Sequence, residues 1–349
     1  MGRARRVTLR DVADRVGLSA NTVSRALSGK DQVSEATREM IVAEARRLGY
    51  VPNSHARSLV SGTTMVLALV ITNPSNPFYA ALISAVERQC RVAGYSVLLL
   101  VTEENEDNEE RAVQQLLRFG VDGVLAVPIQ HRPGVWSQLA EAGLPVVLLS
   151  RDIPELGFDF VGTDVERAVS DAVARVAGPD LRRAWLFEED LEISTVAART
   201  TAFQRAFGED ALVLKVPGRR TRGAALPWRP DDAYRLASGL ITRDHHPELV
   251  VTGNDYFALG VYKAVRERGL TIGADVRVLG YGDHPFAAYL EPGLTTIRLP
   301  ADEVGSAGVD LLLRRIADPA RPRETVLLDA TLVERGSAPA DLVPDGSSG

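Results

Sequence analysis

The chain has 349 residues, 45% of them hydrophobic, and a formal net charge of −6 at pH 7. This length allows a small domain beside a larger one with a well-buried core. A single cysteine cannot form an internal disulfide, which suits the reducing cytoplasm, and no apolar run is long enough to span a membrane. The first 60 residues hold eleven Lys or Arg against six Asp or Glu, so the remainder carries a net charge of −11. A basic beginning on an acidic body predicts that one end meets a polyanion, although a solvated basic face gives the same count.

Residues 8–27 have the pattern of two short helices joined by a tight turn. Thr8 and Ser19 are suitable N-caps, and Gly17 suits the turn because glycine accepts a positive φ. Apolar residues at helical spacing leave a small, polar and basic outer face on the second helix. A helix-turn-helix places there the residues that enter the DNA major groove, although an ordinary helical hairpin shares this spacing. The residues expected to contact DNA here are Thr8, Ser19, Ala20, Asn21, Thr22, Ser24 and Arg25.

A third helix is predicted to begin after Ser34, with Thr37 in its first turn, and to end at Gly49. The runs TLRDVA, GLSANTVSRAL, VSEATR, LGYVPN and ARSL follow one another across residues 7–62. This stretch resembles the DNA-binding headpiece of the LacI-type (lac repressor/galactose repressor) family of bacterial regulators. A match of that length is more specific than one short motif.

The resemblance implies further DNA contacts. Ser34 and Thr37 would meet phosphates, and residues 51–62 would form a hinge helix that is ordered on operator DNA. In that hinge, Asn53, Ala56 and Leu59 are the implied DNA contacts, with Leu59 entering a base step from the minor groove. A helix packed on the core of the body is the alternative.

Beyond residue 62, short apolar runs alternate with helical patterns, which predicts parallel sheets with helices on both faces. The first set of strands is expected near 65–71, 96–101, 123–127 and 145–149, with helices near 78–93, 108–119 and 134–142. In the second set, strands are expected near 158–162, 183–187, 211–216, 248–252 and 276–280, with helices near 164–177, 195–207, 231–243 and 255–268. The predicted fold class is α/β: an all-α helix-turn-helix headpiece, then a body of two lobes, each with a doubly wound parallel sheet. By resemblance, the body is similar to a periplasmic sugar-binding protein with a cleft between its lobes.

The predicted domains follow from these patterns. They are a helix-turn-helix domain at 1–50, a hinge at 51–62, a ligand-binding and dimerisation domain at 63–340, and a flexible tail at 341–349. The first lobe is expected at about 63–157 and 292–320 and the second at about 158–291 and 321–340, with the chain crossing back near Leu294 and finishing in the second lobe with a strand near 325–333.

Ligands of open α/β sheets bind outside the carboxyl ends of the strands. Several residues at predicted strand ends match positions where the family binds its small-molecule effectors. Each has another interpretation: Asn254 and Asp255 could only cap a helix, Phe78 could be core, Trp228 could shield a loop, and Arg199 could be a surface residue. Their joint occurrence in both lobes favours binding. The expected effector-binding residues are Asn73, Asn76, Phe78, Tyr79, Arg151, Arg199, Trp228, Asn254, Asp255 and Asp283.

Two positions depart from the family pattern: Ser150 replaces an aspartate, and Gly282 stands where many members have an acidic residue. These losses favour a modified or larger sugar over a free hexose. His245, His246 and His284 lack metal-ligand spacing, and we expect neither a metal nor a cofactor.

The sequence therefore predicts a cytoplasmic transcription regulator, a repressor that binds palindromic operator DNA as a homodimer and responds to a sugar-like effector. The tail has no leucine heptad, which favours a dimer over a tetramer. A sugar-binding protein of an uptake system would explain only the body, and an enzyme on the same fold would need a catalytic constellation.

Overall fold

The structure is a computed structural model that describes residues 7–27, 33–50, 63–178, 181–208, 211–217 and 229–339. The chain divides into two compact units, Met1–Thr64 and Met65–Gly349, which are described separately below. The predicted hinge contacts Asn53, Ala56 and Leu59, the predicted ligand contact Trp228 and the tail at 341–349 lie outside the described residues.

The first unit holds three helices, α1 (Leu9–Val16), α2 (Ala20–Leu27) and α3 (Glu35–Arg47). Thr8 caps α1 and exchanges hydrogen bonds with Asp11 in a capping box, while Gly17 ends the helix at φ 68°. The Ser19 hydroxyl accepts a hydrogen bond from the Thr22 amide, and Ser34 caps α3 in the same way. The three helices bury one small apolar cluster: Val12, Ala13, Val23, Ala26, Ile41 and Ala45.

The second unit contains two six-stranded sheets. The strands of the first sheet are all parallel, in the order β11-β5-β4-β3-β1-β2. Their bounds are β1 (Val66–Ile71), β2 (Ser96–Val101), β3 (Gly123–Ala126), β4 (Val146–Leu149), β5 (Asp159–Thr163) and β11 (Thr325–Leu328). The helices packed on this sheet are α4 (Pro77–Val92), α5 (Glu106–Phe119), α6 (Gly134–Glu141) and α11 (Ala301–Ala317).

The second sheet repeats this order as β12-β10-β9-β8-β6-β7, with β12 antiparallel at its edge. Its strands are β6 (Ala184–Glu189), β7 (Leu212–Val216), β8 (Leu249–Thr252), β9 (Arg277–Tyr281), β10 (Thr295–Arg298) and β12 (Thr331–Val333). Its helices are α7 (Val165–Ala177), α8 (Ser194–Phe207), α9 (Pro230–Leu240) and α10 (Asp255–Glu267). Each sheet has an apolar cluster on both faces, as a doubly wound sheet requires.

The lobes divide the chain differently from the sequence prediction. The strand β5, predicted in the second lobe, pairs with β4 in the first sheet, and β10, predicted in the first lobe, pairs with β9 in the second. The final strand, predicted as one, is two strands that belong to different sheets. The chain thus passes between the lobes three times: after Thr163, between Arg298 and Ala301, and between Leu328 and Thr331. An apolar run predicts a buried strand, but it does not show which neighbouring strand it pairs with. The lobe predicted for the strands next to the crossings is therefore wrong.

Candidate functional site

The outer face of α2 presents the side chains that the sequence predicts to contact DNA. Ala20, Asn21, Ser24 and Arg25 are exposed, while Val23 and Ala26 on the opposite face are buried. Thr22 and Thr37 are half-buried, and their hydroxyls lie 2.8 Å and 2.7 Å from the hydroxyls of the capping residues Ser19 and Ser34. The caps therefore fix the first turns of α2 and α3, and polar groups are presented at both helix N-termini.

A cleft lies between the carboxyl ends of the strands of the two sheets. It encloses about 700 Å³, counting solvent at its mouth. The first lobe lines it after β1, β4 and β5, and the second lobe lines it after β6, β8, β9 and β10. The described residues that line it are Asn76, Phe78, Tyr79, Ser150, Arg151, Thr163, Val165, Glu189, Ile193, Thr195, Arg199, Gly253, Asn254, Tyr281, Gly282, His284 and Leu299.

Six of the ten residues expected to bind an effector line this cleft: Asn76, Phe78, Tyr79, Arg151, Arg199 and Asn254. Asn73, Asp255 and Asp283 lie outside the lining. Asn73 Oδ1 accepts a hydrogen bond from the Ser75 amide at 2.8 Å. Asp283 pairs with Arg298 and Arg335 at 2.7 Å and 2.8 Å.

Asp255 is fully buried and is not among the residues that line the cleft. Its Oδ1 accepts a hydrogen bond from the Thr296 hydroxyl and its Oδ2 one from the His284 amide, both at 2.7 Å. Burial raises the pKa of this carboxyl above its ordinary value. Asp255 therefore holds the loop after β9 in place, a role that differs from the predicted direct contact.

Arg151 and Arg199 are both held by carboxylates of their own lobe. Arg151 donates to both oxygens of Glu104 at 2.7 Å and 3.0 Å, and Arg199 donates to both oxygens of Glu188 at 2.8 Å and 2.9 Å. Burial is the largest single effect and opposes the charge of each guanidinium group, but the adjacent carboxylate and the other acidic groups nearby together outweigh it and raise the pKa of each arginine. These pairs are bidentate, the geometry that fixes a guanidinium group most firmly.

Sequence reasoning missed Glu188, Glu189 and His284. Glu189 is half-buried, and burial raises its pKa to about 7 against the attraction of Arg199, whose Nη2 lies 3.6 Å away. Two consecutive glutamates at the end of the apolar run Ala184–Phe187 are the available signal, since glutamate is rarely buried unless it is paired. Among the described residues, no group of three or more His, Cys, Asp or Glu could hold a metal ion.

Two parts of the chain match known protein families. Residues 8–53 match the bacterial regulatory proteins of the lacI family, and residues 173–338 match a periplasmic binding protein-like domain. The chain is 32% identical over 344 residues to the ribose operon repressor of Escherichia coli K12, covering 95% of this chain and 99% of that protein.

Two solved structures share the fold over almost the whole chain. The lac repressor dimer bound to operator and an anti-inducer has a TM-score of 0.84 at 23% identity, covering 96% of this chain and 100% of that one. A complex of the transcriptional regulator CelR with cellobiose has a TM-score of 0.69 at 26% identity, covering 95% and 100%. The chain therefore belongs to the LacI family of bacterial regulatory proteins, and it is a DNA-binding transcriptional regulator. The predicted family and fold class are confirmed.

None of the described helices has the length and apolar character needed to cross a membrane.

Proposed function

We propose that this regulator is a repressor that binds a palindromic operator as a homodimer and responds to a sugar or sugar derivative in the cleft between its lobes. The observation that carries the proposal is the cleft itself, where polar side chains from both sheets meet in a chain related over nearly its whole length to the ribose operon repressor. The CelR–cellobiose complex supports a carbohydrate ligand. We assign the protein no catalytic activity and place it in the cytoplasm, where its DNA target lies.

The proposed DNA contacts divide by chemistry. Asn21 suits adenine and Arg25 suits guanine, since their side chains match the hydrogen-bonding edges of those bases in the major groove. Ala20 packs beside the bases. The hydroxyl-bearing residues position the headpiece on phosphates, namely Thr8, Ser19, Thr22, Ser24, Ser34 and Thr37. The hinge at residues 51–62 would follow a helix-turn-helix domain at 1–50, with Asn53 and Ala56 at the minor groove and Leu59 unstacking the central step.

The proposed effector contacts are Asn76, Phe78, Tyr79, Arg151, Arg199 and Asn254, which line the cleft, together with Trp228. Asn73, Asp255 and Asp283 would support the loops that carry these contacts. Because these residues come from both lobes, a bound ligand would change how the lobes sit against each other. It can shift that equilibrium only through a difference in its affinity for the two arrangements.

Removal of residues 1–62 tests whether operator binding and ligand binding belong to different parts of the chain. The truncated protein keeps the whole second compact unit, so it should lose operator binding in a gel-shift assay while keeping the thermal shift caused by its ligand. A truncated protein that still binds operator with full affinity would refute a DNA-binding headpiece.

Arg25→Ala tests the base readout. Loss of a bidentate contact with guanine should weaken operator binding by about 1–3 kcal/mol and relax the preference at one base pair in each half-site. The exposed Arg46, on the last turn of α3, provides a matched control, since Arg46→Ala removes the same charge from a different helix. An unchanged consensus in a binding-site selection with Arg25→Ala would remove this residue from the readout.

A further inference from the structure

Each guanidinium group that lines the cleft is already paired with a carboxylate of the protein. Arg151 is bound by Glu104 and Arg199 by Glu188, with the two arginine side chains 7% and 6% exposed. Glu189 adds a third acidic side chain to the wall, so three acidic side chains accompany two guanidinium groups among the described residues. An anionic ligand would have to compete with two buried bidentate pairs and would disfavour ionisation of Glu189, both of which are unfavourable at low dielectric.

His284 is a buried polar side chain whose ring nitrogens have no hydrogen-bond partner among the described residues. The residue is 3% exposed, lines the cleft and packs against the rings of Tyr256 and Phe286, with ring centroids 5.2 Å and 5.9 Å away. Buried polar groups in native proteins nearly always have a partner, so an exception on a cleft wall is a group that a bound ligand can partner.

Gly282 makes room for this ring. A Cβ atom at position 282 would lie 2.5 Å from Cε1 and 2.6 Å from Nδ1 of His284, closer than side-chain atoms approach one another. The backbone of Gly282 also has φ 129°, which a side chain rarely tolerates. The imidazole therefore occupies the part of the cleft wall that a side chain at 282 would fill.

The surroundings of His284 define the form of its ring. Burial lowers the pKa of the imidazole, so the ring is neutral and offers one donor and one acceptor. The Asp255 carboxylate lies behind it, with Oδ2 at 3.7 Å from Nδ1. At this distance the carboxylate attracts a hydrogen on Nδ1 without forming a hydrogen bond, and this favours the tautomer in which Nε2 is the acceptor.

Taking the proposed sugar-like ligand as a basis, we propose that the cleft binds an uncharged polyhydroxyl compound and that His284 Nε2 accepts a hydrogen bond from one of its hydroxyl groups. The side-chain oxygens of Asn76 and Asn254 accept from the amides of Phe78 and Tyr256, which leaves their NH₂ groups to donate to ligand oxygens. Neutral donors and acceptors thus face the ligand from both lobes, while the guanidinium groups stay with their carboxylates.

The ligand charge is tested with matched pairs of compounds on the full-length protein. D-ribose, D-glucose, cellobiose and myo-inositol are compared with ribose 5-phosphate, glucose 6-phosphate, cellobionate and myo-inositol 1-phosphate, respectively, by thermal shift and calorimetry at constant ionic strength. We expect at least one neutral compound to raise the Tm and its anionic counterpart to bind at least tenfold more weakly. Tighter binding of an anionic sugar would overturn this inference alone and leave the sugar-responsive regulator standing. A Tm unmoved by every compound would overturn the sugar response as well.

The role of His284 is tested with His284→Phe, which keeps an aromatic ring against Tyr256 and Phe286 but removes both nitrogens. The Kd of the neutral ligand should rise on the order of tenfold or more, because a buried hydroxyl loses its acceptor. His245→Phe is the matched control, since its exposed ring packs against Trp185 and does not line the cleft, and it should leave the Kd unchanged.

A second variant guards against misfolding. His284→Gln carries a neutral acceptor on a flexible chain, and it should bind the ligand more tightly than the phenylalanine variant does. If a folded His284→Phe binds the ligand with the same Kd as the wild type, the assignment of His284 is overturned.

Discussion

At the scale of single residues, the pair Arg199–Glu188 is both a wall of the cleft and part of the core. Glu188 is fully buried, so Arg199→Ala leaves an uncompensated carboxylate in the interior. We expect this variant to lose about 3–5 kcal/mol in the free energy of unfolding, measured with urea. Arg205→Ala on the same helix is the control, because Arg205 is 66% exposed beside Glu166 and its pair should contribute less than about 1 kcal/mol. Equal losses for the two variants would show that the buried pair contributes no more to the free energy of unfolding than the exposed pair does.

Glu189 gives the stability of the protein a pH dependence. Burial raises its pKa to about 7 in the folded protein from an ordinary value of 4.5, so the folded state holds a proton that the unfolded state releases. Wild-type stability should therefore fall as the pH rises from about 4.5 to about 7, and Glu189→Gln should remove this loss. The variant should gain about 1–3 kcal/mol relative to wild type between pH 5 and pH 8, measured by urea unfolding. The exposed Glu192→Gln on the following loop is the control; a gain for Glu189→Gln that is the same at every pH would contradict the raised pKa.

At the scale of secondary structure elements, one side chain of the first lobe holds the beginning of a helix in the second. Among the described residues, Ile193 provides no side-chain cap for α8. Gln130, after β3, instead accepts a hydrogen bond from the Ser194 amide at 2.9 Å and donates to the Ser194 hydroxyl at 3.0 Å. Its backbone has φ 65°, a costly conformation that is kept where surrounding contacts determine it.

We therefore expect Gln130→Ala to weaken ligand binding without touching the ligand. Two neutral hydrogen bonds across the cleft stabilise this arrangement of the lobes, and their loss should raise the ligand Kd about 2- to 10-fold. Gln114→Ala is the matched control, because Gln114 bonds Gln138 within the first lobe at 2.8 Å and should leave the Kd unchanged. A Gln130→Ala variant with wild-type Kd would show that the contact across the cleft has no part in binding.

The same elements show what the sequence could and could not predict. The helix caps at Thr8, Ser19 and Ser34 are local hydrogen bonds, and local residue types were sufficient to place them. Strand β5 pairs with β11, which lies more than 100 residues later, and β10 pairs with β9. The sheet that each strand joins depends on these pairings, and such pairings leave no local pattern in the sequence. The buried position of the Asp255 side chain depends likewise on its hydrogen bond with Thr296, 41 positions later.

At the scale of the whole molecule, regulation requires that the headpiece and the cleft influence each other through the chain between them. If the ligand changes operator affinity by some factor, the operator must change ligand affinity by the same factor, because the two binding free energies share one cycle. The full-length protein should therefore show equal ratios when the ligand Kd is measured with and without operator duplex and the operator Kd with and without ligand. A protein that lacks residues 1–62 keeps the second compact unit, so operator duplex should leave its ligand Kd unchanged. Ratios that both equal one in the full-length protein would separate ligand binding from operator binding and remove the cleft from the control of transcription.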